Sequence, residues 1–488
     1  MLRARAIAEI PRAVLLTALV SLGVLSSVLV QRFGALAAVM LVLLVSALTL
    51  VLPPALSYAA GSLRALKREL KWWHALWLVL LLSSLVFRIR DVQAIRESPL
   101  DAWAMYRVAL VAGVALVLGL RLALRMTAWI EPLRSGLVGG LAIYALIALA
   151  STLWSVYPAW TLYKSLEFLV DVALLAAVLA SVKSATAFKS FLDWTWVLFG
   201  GLLVTVWAGA ILAPDRAFIP GSEVLPWRIL GVLPAMDQDS VGDLAAILAV
   251  VGLSRLVSTN RGRGARSFHV VLLVASLATL VFSQTRSAIV GFLVAALLVL
   301  FFSKRLGTIA VLALAVVLVL SLTSAGNLLM VSWQRGDRPE ELESFSGRYP
   351  LWETMWGKFQ QSPLIGFGAY AGTRFTEIKN LADTSLSSAL NSYVEIGLGT
   401  GVVGLIPILA ALVGTCWVLV RTITTAPSWL LERRLATEAL GVLAVITVRS
   451  FFTVQFVWHL PLDFLVVLGY AEFLRRSRHL PAERLEQA

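Results

Sequence analysis

The sequence predicts an all-α fold, a polytopic transmembrane helix bundle of about 12–14 helices, and three observations predict it. Of the 488 residues, 59% are hydrophobic and 14% charged, whereas soluble domains are about 45–50% apolar and about 25% charged. Apolar runs of about 20 residues, the length that crosses a bilayer as a helix, recur along nearly the whole chain. Basic residues fall in alternate gaps between those runs, 25 of the 41 Lys and Arg in all. The net charge of +13 therefore reads as topology, because cytoplasmic loops collect Lys and Arg, and not as a nucleic-acid footprint.

The elements follow in order. Residues 13–31 come after Arg3, Arg5 and Arg12, and no small-residue cleavage site precedes a soluble domain, so an uncleaved first helix is expected. Helices are expected at about 35–57, 73–88, 107–124 and 136–153, punctuated by basic gaps at 64–71 and 121–134. The short "WSVYPAW" (154–160) turns the chain into helices at 162–182 and 193–213, which bracket Lys183 and Lys189. After a polar stretch at 214–240 come 241–257, 268–283, 287–303 and 307–323. The longest polar interruption is 324–390. Within it Trp352, Met355, Trp356 and Phe359 keep helical spacing behind the acidic run "DRPEELE", which predicts an amphipathic helix lying over the membrane surface. Helices at 392–420, 436–456 and 459–474 complete the chain. The domain organisation is thus 1–323 (eleven helices), 324–390 (long outer loop) and 391–488 (three helices and a short basic tail). Both termini lie inside, and the loops 154–160, 214–240 and 324–390, with the turn at Arg286, lie outside.

Cys416 is the single cysteine and the four histidines are scattered, so disulfides, a thiol metal site and a metal centre are not expected, nor is a cofactor. No catalytic triad, HExxH, Walker loop or nucleotide fingerprint is present. Four cations with polar company fall on the outer side: Lys164, Arg228 in "PWRILG", Arg286 in "SQTRSA" and Arg348 in "SGRYPLW". Arginine presents a planar fork that pairs with phosphate oxygens and stays charged at any relevant pH. Each is also explicable as an interfacial cation reaching for water. Arg286 stands out, because Gln284 and Ser287 flank it in a tight turn. These residues point to an outer, basic site for an anionic, lipid-linked ligand.

The pattern resembles the O-antigen ligase and polymerase superfamily, the WaaL-type and Wzy-type membrane glycosyltransferases. The pieces that carry the resemblance are, in order, "LWSVYPAWTLYKSLEFLV", "RILGVLPAMDQDSVGDLAAI", "SQTRSAIVGFL", "SGRYPLWETMWGKFQQSPLIGFGAY" and "LNSYVEIGLGTGVVGLI". The resemblance implies a GT-C-like, metal-independent enzyme of the bacterial inner membrane that works on the periplasmic face. It would take a glycan from undecaprenyl diphosphate and join it to a glycan or lipid-linked acceptor, with membrane lipids and other polysaccharide-assembly proteins as partners. It implies that Arg228 and Arg286 hold the donor diphosphate, that Arg348 completes the site, and that Trp352 and Asn391 line it. Pro363, Gly366 and Gly368 match the turn after the amphipathic helix.

One position departs from the family. Its last motif usually begins with a histidine that acts on the acceptor hydroxyl, and this chain has Leu390 there. Glu395, on the same helix face as Asn391, and His459 in "VWHLPLD" are the candidate substitute bases. For Glu395 the alternative is a carboxylate paired with a buried arginine, and for His459 a structural role. Arg449, costly in lipid, is expected to face the bundle. The missing histidine favours a polymerase of O-antigen or exopolysaccharide repeats over a ligase acting on lipid A-core or protein. The rival from another class is a flippase for lipid-linked sugars. Against it stand the lack of an internal repeat and polar residues that gather at the outer face instead of mid-depth. A catalytically dead homologue is the third reading.

Overall fold

In a computed structural model, residues 35–85, 101–124, 130–221, 225–258, 262–305, 307–308, 348–375, 388–457 and 461–477 are described. Among them the chain is a helix bundle with two two-stranded hairpins. The main helices are α1 (Ala35–Glu69), α2 (Trp72–Leu85), α3 (Ala102–Ala123), α4 (Gly136–Ala150), α5 (Pro158–Ser181), α6 (Ala185–Leu212) and α7 (Gln238–Ser258). They continue with α8 (Arg263–Ser283), α9 (Arg286–Phe302), α10 (Arg348–Phe359), α11 (Ser392–Thr425), α12 (Leu431–Ser450) and α13 (Leu462–Ser477). Among the described residues, six helices are long and apolar enough to cross a membrane: α3, α4 with its following turn, α6, α7, α8 and α11. The expected helices at 13–31 and 307–323 lie wholly or almost wholly outside the described residues; the other expected helices are present, but α1 runs past its expected end at 57, through the basic gap to Glu69, and α6 begins at Ala185, ahead of 193.

The chain divides into two compact units, residues 1–63 with 260–271 and residues 64–259 with 272–488. In the first, Gly264 lets α8 approach α1: a Cβ there would stand 3.0 Å from the Pro54 carbonyl. Every feature below belongs to the second.

Glycines set the closest approaches in that unit, as they do where membrane helices pack without a hydrophobic driving force. Helices α7, α9 and α12 pack against one another. A Cβ on Gly291 of α9 would stand 3.4 Å from the Val445 backbone of α12, and one on Gly441 of α12 would strike Val250 and Val299 at 2.6 and 2.8 Å. This close trio brings the N-terminal ends of α7 and α9 beside the C-terminal end of α12.

One helix end and one helix interior differ from expectation where other groups capture the backbone. Helix α12 was expected to run to 456 but ends at Ser450, where Phe452 and Thr453 N–H groups both turn back to the Arg449 carbonyl. Helix α11 is not continuous. Gly401 has φ +64° and ψ −164° and breaks it, which frees backbone groups that must find partners away from water. The turn after α10 supplies them. Val402 and Val403 N–H groups donate to the Pro363 and Leu364 carbonyls, and Phe367 and Gly368 N–H groups donate to the Leu398 and Gly399 carbonyls. The sequence "PLIGFG" is thus threaded into the break. Gly366 has φ +64° and lies where a Cβ would be 2.6 Å from the Leu398 carbonyl oxygen.

The amphipathic α10 forms as its spacing predicts. Leu351 and Met355 are buried, Trp352 is half-buried, and Trp356 and Tyr349 are exposed.

Candidate functional site

The loop between α6 and α7 forms two hairpins, with Phe218–Pro220 paired to Trp227–Ile229 and Gly231–Val232 paired to Ala235–Met236. Arg228 sits on the first. Its Nε donates to the Pro220 carbonyl (2.9 Å) and its NH1 to Gln238 Oε1 (3.2 Å). The turn ahead of Arg286 holds this hairpin in place. Gln284, in the left-handed region at φ +53°, donates its amide to the Leu225 and Trp227 carbonyls (2.8 and 3.1 Å). Thr285 Oγ1 donates to the Gln238 carbonyl (2.9 Å). Gln284 is therefore a brace between the two arginine-bearing segments, and Arg286 follows as the first residue of α9.

Ser287 is drawn inward. It accepts from NH1 of Arg449, which is 1% exposed and grips both carboxylate oxygens of Asp243. The expectation that Arg449 faces the bundle is met, and Asp243 is the partner that the sequence reading did not name. A lone aspartate in the apolar "VGDLAAILAVVG" and a lone arginine in "AVITVRSFF" were the available signal, since intramembrane charges of opposite sign pair.

Arg348 opens α10 at the same end of the bundle. Its guanidinium lies 5.9 Å over the Phe452 ring, and its buried Nε has no acceptor among the described residues. Burial holds Arg348 below the ordinary guanidinium range. Asp239 opposes that shift, and the charges of Arg449 and Arg286 reinforce it. Repulsion among cations that share one region is relieved when an anion enters it.

The turn before α11 is built next to these groups. Leu390 is left-handed at φ +50°, a conformation a non-glycine residue adopts only when its surroundings impose it. Trp352 Nε1 donates to the Ala389 carbonyl (3.1 Å). Asn391 caps α11, its Oδ1 accepting from the Tyr393 and Val394 N–H groups (2.9 and 3.1 Å), and its amide donates to the Phe451 carbonyl (3.2 Å). Glu395 is 2% exposed and accepts from Thr373 Oγ1 (2.6 Å) and the Ala389 N–H (3.0 Å). Its carboxylate braces the Leu390 turn against residues 369–375. His459 lies outside the described residues.

Lys164 belongs to a different, interior cluster. It pairs with Glu167 (2.9 Å), which also binds Arg107, and Arg374 lies 5.0 Å over the Trp160 ring that flanks Lys164. Asp171, 1% exposed, is about 20 Å along α5 from its start at the helical rise of 1.5 Å per residue. The expectation that polar residues gather at the outer face instead of mid-depth is corrected: buried polar residues run to mid-depth on α5. Lys164, Glu167 and Arg107 satisfy one another, which is how charges persist in an apolar bundle, whereas Asp171 Oδ1 is buried without a hydrogen-bond partner among the described residues.

The structure thus brings Arg228, Arg286, Arg348, Trp352, Leu390 and Asn391 to one end of the bundle, with Asp239, Asp243, Arg449 and Gln455 added by the fold. The polar groups of Gln284, Ser287 and Asn391 serve contacts within the chain. No curated protein matches the sequence. Residues 271–409, which include Arg286, Arg348, the threaded turn and the broken part of α11, match the family model described as O-antigen ligase, and this match bears out the chain's resemblance to the O-antigen ligase and polymerase superfamily.

Proposed function

We propose that the protein is a glycan polymerase that takes its donor from undecaprenyl diphosphate on the outer face of the bacterial inner membrane. The observation that carries this reading is the gathering of Arg228, Arg286 and Arg348, from three separate segments, around the Arg449–Asp243 pair. Arg449 is paired with Asp243, and we assign the diphosphate to Arg228, Arg286 and Arg348. In the reaction an acceptor hydroxyl oxygen bonds to the anomeric carbon as the bond from that carbon to the diphosphate breaks. The electron pair of the broken bond ends on the diphosphate. Fixed cations in a poorly hydrated site stabilise charge that develops there. Leu390 has no proton-accepting group, so the hydroxyl proton goes either to a substitute base, for which Glu395 beside the Leu390 turn and His459 are the candidates, or to solvent late, after the bond to the diphosphate has largely broken.

That feature also favours a polymerase over a ligase, whose acceptor chemistry leans on the histidine. The ligase reading is kept because the matching family is described by that activity. Purified protein in lipid bilayers, given a radiolabelled lipid-linked repeat unit, is expected to build a ladder of chain lengths on a gel. Single addition to lipid A-core would select the ligase, and movement of the substrate across the bilayer without bond formation would select the carrier.

The side of the membrane has its own test. With Cys416 replaced by Ser, a cysteine at exposed Ser240, beside the arginine cluster, is expected to react with an impermeant thiol reagent in intact cells. A cysteine at exposed Ser428, between α11 and α12, should react only after lysis. The reverse pattern would move the proposed site to the cytoplasmic face.

A further inference from the structure

Gln455 lies in the described turn 451–457 between α12 and α13, outside the segment that matches the family model. Its side-chain amide donates to Asp243 Oδ2 (2.7 Å) and Thr453 Oγ1 (2.8 Å), which uses both of its N–H groups. Its backbone N–H donates to Ser392 Oγ (2.7 Å). The two directions lead to different halves of the site. Asp243 holds Arg449, and Arg449 holds Ser287, the neighbour of Arg286. Ser392 directly follows Leu390–Asn391, and its hydroxyl donates to the Thr453 carbonyl (3.1 Å) in the same turn as Gln455. The Asn391 amide ties that side down again at the Phe451 carbonyl.

We infer that Gln455 is a positioning residue that sets the distance between the donor-binding arginines and the acceptor turn at Leu390–Asn391. The inference rests on the proposed donor and acceptor ends of the site. Gln455 acts through Asp243 on one side and Ser392 on the other. Its amide end is dictated by chemistry, because the carboxylate of Asp243 is an acceptor toward Arg449 and needs a donor from Gln455. Two-substrate reactions are sensitive to such a link: a misplacement of about 1 Å between reacting groups costs about 10²-fold in rate.

The test measures chain growth from the lipid-linked repeat unit, with kcat and donor KM separated, for the full-length protein in bilayers. Gln455→Leu, close in size and without the amide, is expected to lower kcat by about 10- to 100-fold while donor KM stays within about twofold, the donor cations being untouched. Gln455→Glu, which sets a second carboxylate against Asp243, is expected to be at least as slow. The double variant Asp243→Asn with Gln455→Glu exchanges donor and acceptor at unchanged total charge, and should recover at least about tenfold over Gln455→Glu alone. A structural role alone would lower the amount of folded protein without this split or this rescue. Should Gln455→Leu not accumulate, Gln455→Asn, one methylene shorter, is expected to show the same fall in kcat. Wild-type kcat in Gln455→Leu or Gln455→Asn, a change confined to donor KM, or a double variant no better than Gln455→Glu would overturn the inference. A wild type that forms no polymer overturns the proposed function itself, which keeps the two failures distinct.

Discussion

Arg286→Ala is expected to lower glycan transfer by at least about 10²–10³-fold, the usual cost of removing one fixed group that stabilises developing charge. The residue begins α9 immediately after the Gln284–Thr285 brace, so its backbone is held by neighbours that the substitution leaves in place. Folded protein should therefore accumulate normally. Arg228→Ala should behave alike, since its hairpin remains pinned by Gln284. Lysine at either place should rescue poorly, because a single ammonium loses the paired donors that match two phosphate oxygens. Leu390→Ala, by contrast, is expected to keep most of the activity, because the side chain brings no chemistry and the turn is held by Trp352, Asn391 and Glu395. Polymer formation from one lipid-linked substrate separates these cases. Full activity in both alanine variants would reduce the arginines to interfacial anchors and remove the basis of the donor site.

Gly401→Ala is expected to deplete the folded protein, at a cost of at least about 3 kcal/mol. The φ/ψ of Gly401 belong to a region used essentially by glycine. A Cβ there would also stand 2.1 Å from the Leu364 carbonyl oxygen, an atom that is already accepting from the Val403 N–H. Relief would require withdrawing the threaded 363–368 turn, and with it four backbone hydrogen bonds that close the break. Such groups have no water to turn to within a bilayer. Thermal unfolding in detergent, with Gly200→Ala as the control whose added Cβ meets no atom within 4 Å, provides the measurement. An unshifted transition in Gly401→Ala would mean that the break can be healed into continuous helix and that the threading contributes little.

Much of the fold was legible because it is local. A helix satisfies its own backbone hydrogen bonds within each turn, so an apolar run of sufficient length announces a helix wherever its partners lie. Helix α10 was legible from the spacing of Trp352, Met355, Trp356 and Phe359, while the turn at Gly366 and Gly368 was expected only from the family resemblance and its left-handed backbone came from the structure. The break at Gly401 was not, even with glycines at 397, 399, 401 and 404 in view. A glycine permits such a conformation, but it is adopted only where another segment satisfies the freed N–H and C=O groups, and that segment lies some 30 residues earlier.

The candidate site divides the same way. The residue types of Arg228, Arg286 and Arg348 were determined by the sequence, and their side-chain chemistry already suited an anionic ligand. Which polar neighbours also have partners within the fold was shown only by tertiary structure. Gln284, Ser287 and Asn391 were read as ligand contacts, and the fold uses their polar groups to join hairpin, helix start and turn. Asp243 meets Arg449 across 206 positions of chain, and Gln455 meets Asp243 across 212. Hydrophobic length and charge bias are properties of a single segment and survive in the sequence read alone. A buried ion pair is a property of two segments, and only the close packing of α7, α9 and α12 at their glycines makes its partners neighbours.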